Sequence, residues 1–359
     1  MDRDGALNAK SEVFRHVFGY AEAPGTLSAG ALPEFAPLAD SAEAAEISAA
    51  RQEGKLAARD KIALGILRPR GGNRDPNDLR LGIFLQDKKL LTHPLVDEIN
   101  RVSKGEAKPF VTGPAVRHAA IVGRSIGPGS SIGLTRGNAA GTLGFFANLR
   151  DQGGLGLVSN SHVIGALNRG REGDPIIHPP KLDGGDPKKE HNVIAFLYRD
   201  VEIRSGDTDI NSVDAAFAFL KNGITPEFGV AHCPQQEFTI QSYDSSRLLL
   251  EGDLVKKIGR TTQFTRGEVE ATDVDNLVVR MILGRSSRPV RFDHQIAICA
   301  SSKRFSKPGD SGSLVVREDG SPVGLLFAGT QSGGPSDHGV SYANEIGRVL
   351  DHLEIDFRV

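Results

Sequence analysis

Lys307-Pro308-Gly309-Asp310-Ser311-Gly312-Ser313 runs directly into the apolar stretch Leu314-Val315-Val316. A serine held between glycines on a turn that feeds a strand is a candidate nucleophile. Its free hydroxyl is too weakly acidic to attack an amide at neutral pH. The reading therefore requires a base, a carboxylate to orient that base, and an anion site elsewhere in the chain.

Around this turn, from about Gly113 onward, the chain breaks into short apolar runs bounded by Gly, Asn, Asp and Pro. That is the rhythm of antiparallel sheet. The runs are Thr142 to Phe146, Gly156 to Val158, Val193 to Phe196, Ala215 to Leu220, Leu277 to Ile282, Ile296 to Cys299, Ser313 to Val316 and Pro322 to Phe327. Ile346, Val349, Leu350 and Leu353 mark one buried face of a closing helix over Ala343 to Leu353. The first 112 residues differ. They read as a small α+β region, with helical turns from Ser11 to Phe18, an exposed helix from Ser41 to Lys61 and strands at Ile62 to Leu67 and Leu79 to Leu85. Helical spacing then spans Leu91 to Val102, and a third strand is expected at Pro109 to Thr112. Two domains follow from this contrast, residues 1–112 and 113–359.

A chain of 359 residues can bury a sizeable core, and a formal charge of -2 argues against a nucleic-acid or acidic-membrane partner. Cys233 and Cys299 cannot form a dense disulfide framework and read as buried thiols. The charged start Met1-Asp2-Arg3-Asp4-Gly5 leads into no apolar core of signal-peptide length, and no run approaches membrane-spanning length. A cytoplasmic, reduced protein is expected.

Two further sites complete the chemistry that Ser311 needs. His162 stands at the exit of the run Leu157-Val158-Ser159-Asn160-Ser161-His162-Val163-Ile164, where an imidazole can face a cleft. Asp214 stands at the start of Asp214-Ala215-Ala216-Phe217-Ala218-Phe219. His162 would take the proton of Ser311 and return it to the leaving amine, while Asp214 holds the ring in one tautomer. The backbone N–H groups of Gly309 and Ser311 would form the oxyanion site. Asp310 would orient the loop. The plainer readings are an ordinary Gly-Asp-Ser turn, a histidine capping a strand end, and Asp207 or Asp209 in place of Asp214. His178, His191, His232, His294 and His338 read as surface or structural, and His232-Cys233 lacks the spacing of a metal site. Lys256-Lys257 and Lys303-Arg304 read as solvated loops.

Several blocks together make the chain from Gly113 onward resemble the trypsin-like serine protease superfamily. They are Ala140-Gly141-Thr142-Leu143-Gly144, Val158 to Ile164, Gly173-Asp174-Pro175-Ile176-Ile177, and Val213-Asp214-Ala215-Ala216. The later blocks are Val255 to Thr262 with Thr265 and Gly267, Pro308 to Leu314, and Val323 to Gly329. The likeness is greatest to the bacterial and plant branch that includes the rice narrow-leaf protein, and Gly259-Arg260-Thr261-Thr262 also resembles the streptogrisin group. The order His, Asp, Ser fits that superfamily. The resemblance implies a mainly β, chymotrypsin-like double antiparallel barrel and a serine endopeptidase. It departs in Ser313, where a second glycine is common, and in Val163, where secreted members carry cysteine. Ser313 also excludes the Gly-x-Ser-x-Gly elbow of the α/β hydrolases.

The resemblance further places Phe305 at the base of the primary substrate pocket, with Phe327, Ala328 and Gly329 as its wall. No carboxylate lies at the base, so a small or apolar side chain is expected there rather than Lys or Arg. No cofactor and no metal are called for. The expected partner is a protein or peptide substrate, with no nucleic acid and no membrane, and with a regulatory partner or self-association through the N-terminal region. A protease fold used only for binding, or an esterase with the same three residues, stands as the alternative.

Overall fold

The computed structural model describes residues 1–20, 58–68, 78–112, 126–137, 139–206, 208–284 and 286–359, together with the backbone of 115–116. The expected helix from Ser41 to Lys61 falls mostly outside the described residues. Two antiparallel sheets dominate, and alternation along their strands explains how they pack. In Phe145–Leu149, Leu155–Ser159 and Ala216–Leu220, the side chains of Phe146, Leu157, Ala216 and Ala218 fill the first barrel. Their neighbours Phe145, Val158 and Phe217 face the opposite way, into a cluster with Ile258, Leu314, Val316 and Leu325 of the second barrel. A strand period of two thus supplies one face to each core.

The first sheet orders its strands as Ile355–Arg358, Phe145–Leu149, Leu155–Ser159, Ala216–Leu220, Val193–Asp200, Pro175–Ile177, Ser131–Leu134 and Gly141–Thr142. In the second, six strands close into a barrel, because Leu254–Gly259 pairs with both Gln263–Asp275 and Leu314–Arg317. Pro322–Thr330, Ser341–Glu345 and Gln295–Cys299 complete the ring. This is the chymotrypsin-like double barrel.

The N-terminal region continues the second barrel's sheet. Ile62–Leu67 pairs with the far half of the long strand Gln263–Asp275, followed by Arg80–Leu85 and a parallel strand Ala107–Val111. The helix Pro94–Val102 makes the crossover, as a parallel pair requires. One face of Ile62–Leu67 buries Ile62 and Leu64 with Val13 and Phe14 of the helix Arg3–His16. The other face buries Ala63 and Leu67 with Phe84, Phe292, Phe327 and Tyr342.

The N-terminal helices and third strand run over Arg3–His16, Pro94–Val102 and Ala107–Val111, shifted from the expected bounds, and two differences at the C-terminal end matter more. Ala343 to Glu345 belong to a strand, and the helix runs only over Ile346–Leu353, because Ser341–Glu345 is paired on both edges. That helix does not close the chain: Ile355–Arg358 follows and pairs with Phe145–Leu149 in the first sheet. Among the described residues no helix is long and apolar enough to cross a membrane.

Candidate active site

Strand pairing brings His162 and Asp214 together. Leu155–Ser159 and Ala216–Leu220 are neighbours, with Ala216 opposite Ser159, so what leaves one strand meets what enters the other. After Asn160 the chain makes a single wide helical turn, Ser161–Gly165, every residue of which is buried. His162 Nδ1 lies 2.5 Å from Asp214 Oδ2, and its backbone N–H donates to Oδ1 at 3.1 Å. With Nδ1–H directed to the carboxylate, Nε2 carries the lone pair that can accept a proton.

The backbone of Asp214 is fixed as tightly as its side chain. Its N–H donates to Asn344 Oδ1 at 3.0 Å, and its carbonyl accepts from Asn160 Nδ2 at 2.7 Å. Asn344 in turn donates to Gln295 Oε1 at 2.7 Å, and Gln295 to the Ser212 carbonyl at 2.9 Å. Asn344 and Gln295 went unnoticed in the sequence; a helix was expected over Asn344, which concealed its inward-facing strand position. Of the rival carboxylates, Asp209 accepts, among the described residues, only from the Gly206 N–H of its own turn, and Asp207 lies outside the described residues.

The serine turn is clamped to the first barrel beside the histidine turn. The N–H of Thr142 donates to the Ser311 carbonyl at 2.8 Å, and Thr142 Oγ1 donates to the Gly309 carbonyl at 2.7 Å. Gly141 fits between the two turns. A Cβ there would stand 2.5 Å from Val163 and 2.7 Å from the Ser311 carbonyl. Gly309 and Gly312 adopt φ +97° and +93°, and a Cβ on Gly312 would lie 2.2 Å from the Thr142 carbonyl. Only glycine combines that dihedral with that approach.

Two features of the turn bear on chemistry. The N–H groups of Gly309 and Ser311 donate to no acceptor among the described residues. The Ser311 hydroxyl donates to the Phe327 carbonyl at 3.2 Å and makes no hydrogen bond to His162. The structure therefore joins His162 to Asp214, sets Ser311 on the neighbouring turn, and leaves the link between Ser311 and His162 unmade.

Asp310 is the most heavily bonded side chain of the turn. Oδ1 accepts from the N–H groups of Thr261 and Thr262, at 2.9 and 3.1 Å. Oδ2 accepts from Thr262 Oγ1 at 2.7 Å and the Lys307 N–H at 2.9 Å, with Lys257 Nζ at 3.3 Å. The expectation of solvated lysines at 256 and 257 is wrong. Both lie in the strand Leu254–Gly259, and Lys257 is 0% exposed. Burial lowers the Lys257 ammonium from its ordinary value, against the attraction of Asp310. Flanking Val255 and Ile258 were the available signal. Lys303 is exposed, as expected, and Arg304 half-buried. Nearby, Arg260 bonds Ser131 Oγ at 2.6 Å and pairs with Asp183, tying the Gly-Arg-Thr-Thr block to the first barrel. Ser313 is accommodated by donating its hydroxyl to the Asp310 carbonyl at 2.5 Å.

Phe305 is 2% exposed and packs with Val255, Val269, Ile298 and Leu326 in the second barrel. Phe327 and Ala328 pack on the other side of their strand with Ala63, Leu67 and Phe84 of the N-terminal region, while Gly329 lies opposite Ser341. Asp200 lies behind the histidine turn, close enough that a Cβ on Gly165 would stand 2.3 Å from its carboxylate. Burial raises the Asp200 carboxyl to about 7, and the charge of Asp214 adds to the rise. Among the described residues no group of three His, Cys, Asp or Glu could hold a metal ion. Cys233 and Cys299 are buried in different clusters and form no disulfide with each other.

No family model matches the chain, and no curated protein matches it. Among solved structures it is similar to the Nocardiopsis protease NAPase, at 16% identity and TM-score 0.45, over 66% of this chain and 100% of that one. It is similar also to Thermobifida fusca protease A, at 15% identity and TM-score 0.43, over 67% of this chain and 98% of that one. Cellulomonas bogoriensis chymotrypsin is a third, at 15% identity and TM-score 0.42, over 65% of this chain and 98% of that one.

Proposed function

We propose that the chain is a serine endopeptidase, with Ser311 as nucleophile, His162 as base and then acid, and Asp214 as the group that orients His162. The observation that carries this reading is the 2.5 Å contact of His162 Nδ1 with Asp214 Oδ2, which leaves Nε2 as the nitrogen able to accept a proton. In the reaction, Ser311 Oγ attacks the scissile carbonyl as its proton passes to His162 Nε2. The oxyanion is held by the N–H groups of Gly309 and Ser311. Collapse expels the amine, which takes the proton from His162, and water repeats the sequence on the acyl enzyme. The step requires the Ser311 hydroxyl to leave the Phe327 carbonyl for His162 Nε2.

Phe305, Phe327, Ala328 and Gly329 are proposed to shape the pocket, and a small or apolar side chain is the preferred occupant because position 305 offers no carboxylate. Residues 1–112 are proposed as an N-terminal region joined to the protease domain through a shared sheet, with a regulatory or partner-binding role. Two buried cysteines not joined in a disulfide fit a reducing, cytoplasmic location.

The hydrogen bond from Ser311 to Phe327 favours a second reading, a protease-fold binding module that never assembles the three residues. Ser311→Ala separates the two. The endopeptidase reading predicts that it abolishes hydrolysis of a peptide library while leaving the unfolding curve unchanged; equal hydrolysis by both purified proteins would end that reading. A simple ester panel run alongside distinguishes an esterase.

A further inference from the structure

One edge of the strand Pro322–Thr330 is shared by the serine turn and by a distant part of the chain. The residues Ser341–Glu345 pair along its opposite edge, reaching Gly329 opposite Ser341. Along the near edge, Leu314 and Val315 pair with Leu325 and Gly324. The Gly312 N–H then donates to the Leu326 carbonyl at 2.8 Å, and the Leu326 N–H to the Ser313 carbonyl at 3.0 Å. The Phe327 carbonyl accepts the Ser311 hydroxyl. Two residues further, the strand Ala115–Val116 is paired antiparallel, with Val116 opposite Gly329 and Ala115 opposite Thr330.

A peptide added to this edge would lie beside Ser311, because the Phe327 carbonyl there accepts the Ser311 hydroxyl. An extended chain satisfies its own backbone by adding to a free strand edge, and each backbone N–H and C=O there can serve one such partner. The direction also fits. Passing from Ala115 to Val116 moves from Thr330 to Gly329, toward Phe327 and Ser311. The N-terminal region delivers the segment: Ala107–Val111 is the last strand of its sheet, and the Gly334 N–H donates to the Val111 carbonyl at 2.9 Å. Gly333 closes on the same carbonyl so nearly that a Cβ would stand 2.2 Å away.

We infer that Ala115–Val116 is an intramolecular occupant of the substrate edge, so that the chain holds itself in a blocked state which a peptide must displace. The inference rests on Ser311 being the nucleophile, and it gives the N-terminal region a regulatory role: strands that extend the second barrel present a substrate-like segment at high local concentration.

The test uses the full chain with Val116→Pro and, separately, Ala115→Pro; proline disfavours the pairing at either position, and at one of the two it removes the ladder N–H, since successive strand residues point their N–H groups to opposite edges. Binding is read in the Ser311→Ala background by anisotropy of a fluorescein-labelled Thr-Gly-Pro-Ala-Val-Arg peptide. Both proline variants should bind it at least about tenfold more tightly than the chain with the native segment. With Ser311 present, kcat/KM on a fluorogenic peptide library should rise by a similar factor, about tenfold. Labelling of Ser311 by a small fluorophosphonate, which needs no strand pairing, should keep its rate. Equal peptide affinity and equal kcat/KM in native and variant chains would overturn the inference while labelling upheld the nucleophile. Absence of labelling in every chain would instead remove the enzymatic reading, with the anisotropy still deciding whether the edge is occupied in cis.

Discussion

Lys257 Nζ lies 3.3 Å from Asp310 Oδ2, and both side chains are wholly buried. The pair makes an internal strand lysine the counter-charge of the residue that shapes the serine turn. Removing one partner of a buried ion pair leaves the other uncompensated, which typically costs about 3–5 kcal/mol. Lys257→Met is therefore expected to lower stability by about 3 kcal/mol. It should also lower kcat by about two orders of magnitude through the loss of a fixed oxyanion site. Urea unfolding and peptide hydrolysis measure the two effects; an unchanged kcat would show that the turn holds its shape without Lys257.

Asp214→Asn keeps the size of the side chain but offers His162 Nδ1 an amide in place of a carboxylate. The expected loss is about 10⁴ in kcat, with little change in KM, because the wrong tautomer is favoured. A loss under about tenfold would mean that another group orients His162.

Asn344→Leu leaves the Asp214 N–H and the Gln295 carbonyl oxygen without their buried partner. A destabilisation of about 1–3 kcal/mol is expected. Thermal unfolding of the variant reads it, and an unchanged midpoint would assign the network no structural weight.

Asp200 makes stability depend on pH. Its carboxyl is raised from 3.8 to about 7 in the fold, so between these values the folded state binds more protons than the unfolded state. Stability from this group is full below the lower value and is lost as pH rises through the upper one. Asp200→Asn removes the ionisation. Urea unfolding at pH 5 and pH 8.5 should then show a smaller fall in the variant than in the native chain; equal falls would remove Asp200 as the cause.

How far the site was readable depended on the range of the signal. The short apolar runs Gly156 to Val158 and Ala215 to Leu220 marked two strands, and their ends carry His162 and Asp214 side by side. The glycines of the 309–312 turn showed as residue types before their positive dihedrals were known. Lys257 was misread because a lysine beside another lysine looks solvated, and the partner that pulls it inward is far away in sequence. Asn344 was hidden by helical spacing that begins only two residues later, since the pairing of Ser341–Glu345 on both edges overrides it. The pairing of Val116 with Gly329 joins segments that local pattern cannot connect.

The most direct test of the account is the site and number of covalent adducts formed with a fluorophosphonate, read by intact mass and by peptide mapping of the native chain and of His162→Ala. The account predicts one adduct per native chain, on Ser311, and none on His162→Ala under the same conditions. A native chain that stays unmodified at Ser311, or one labelled equally after His162 is removed, would contradict it.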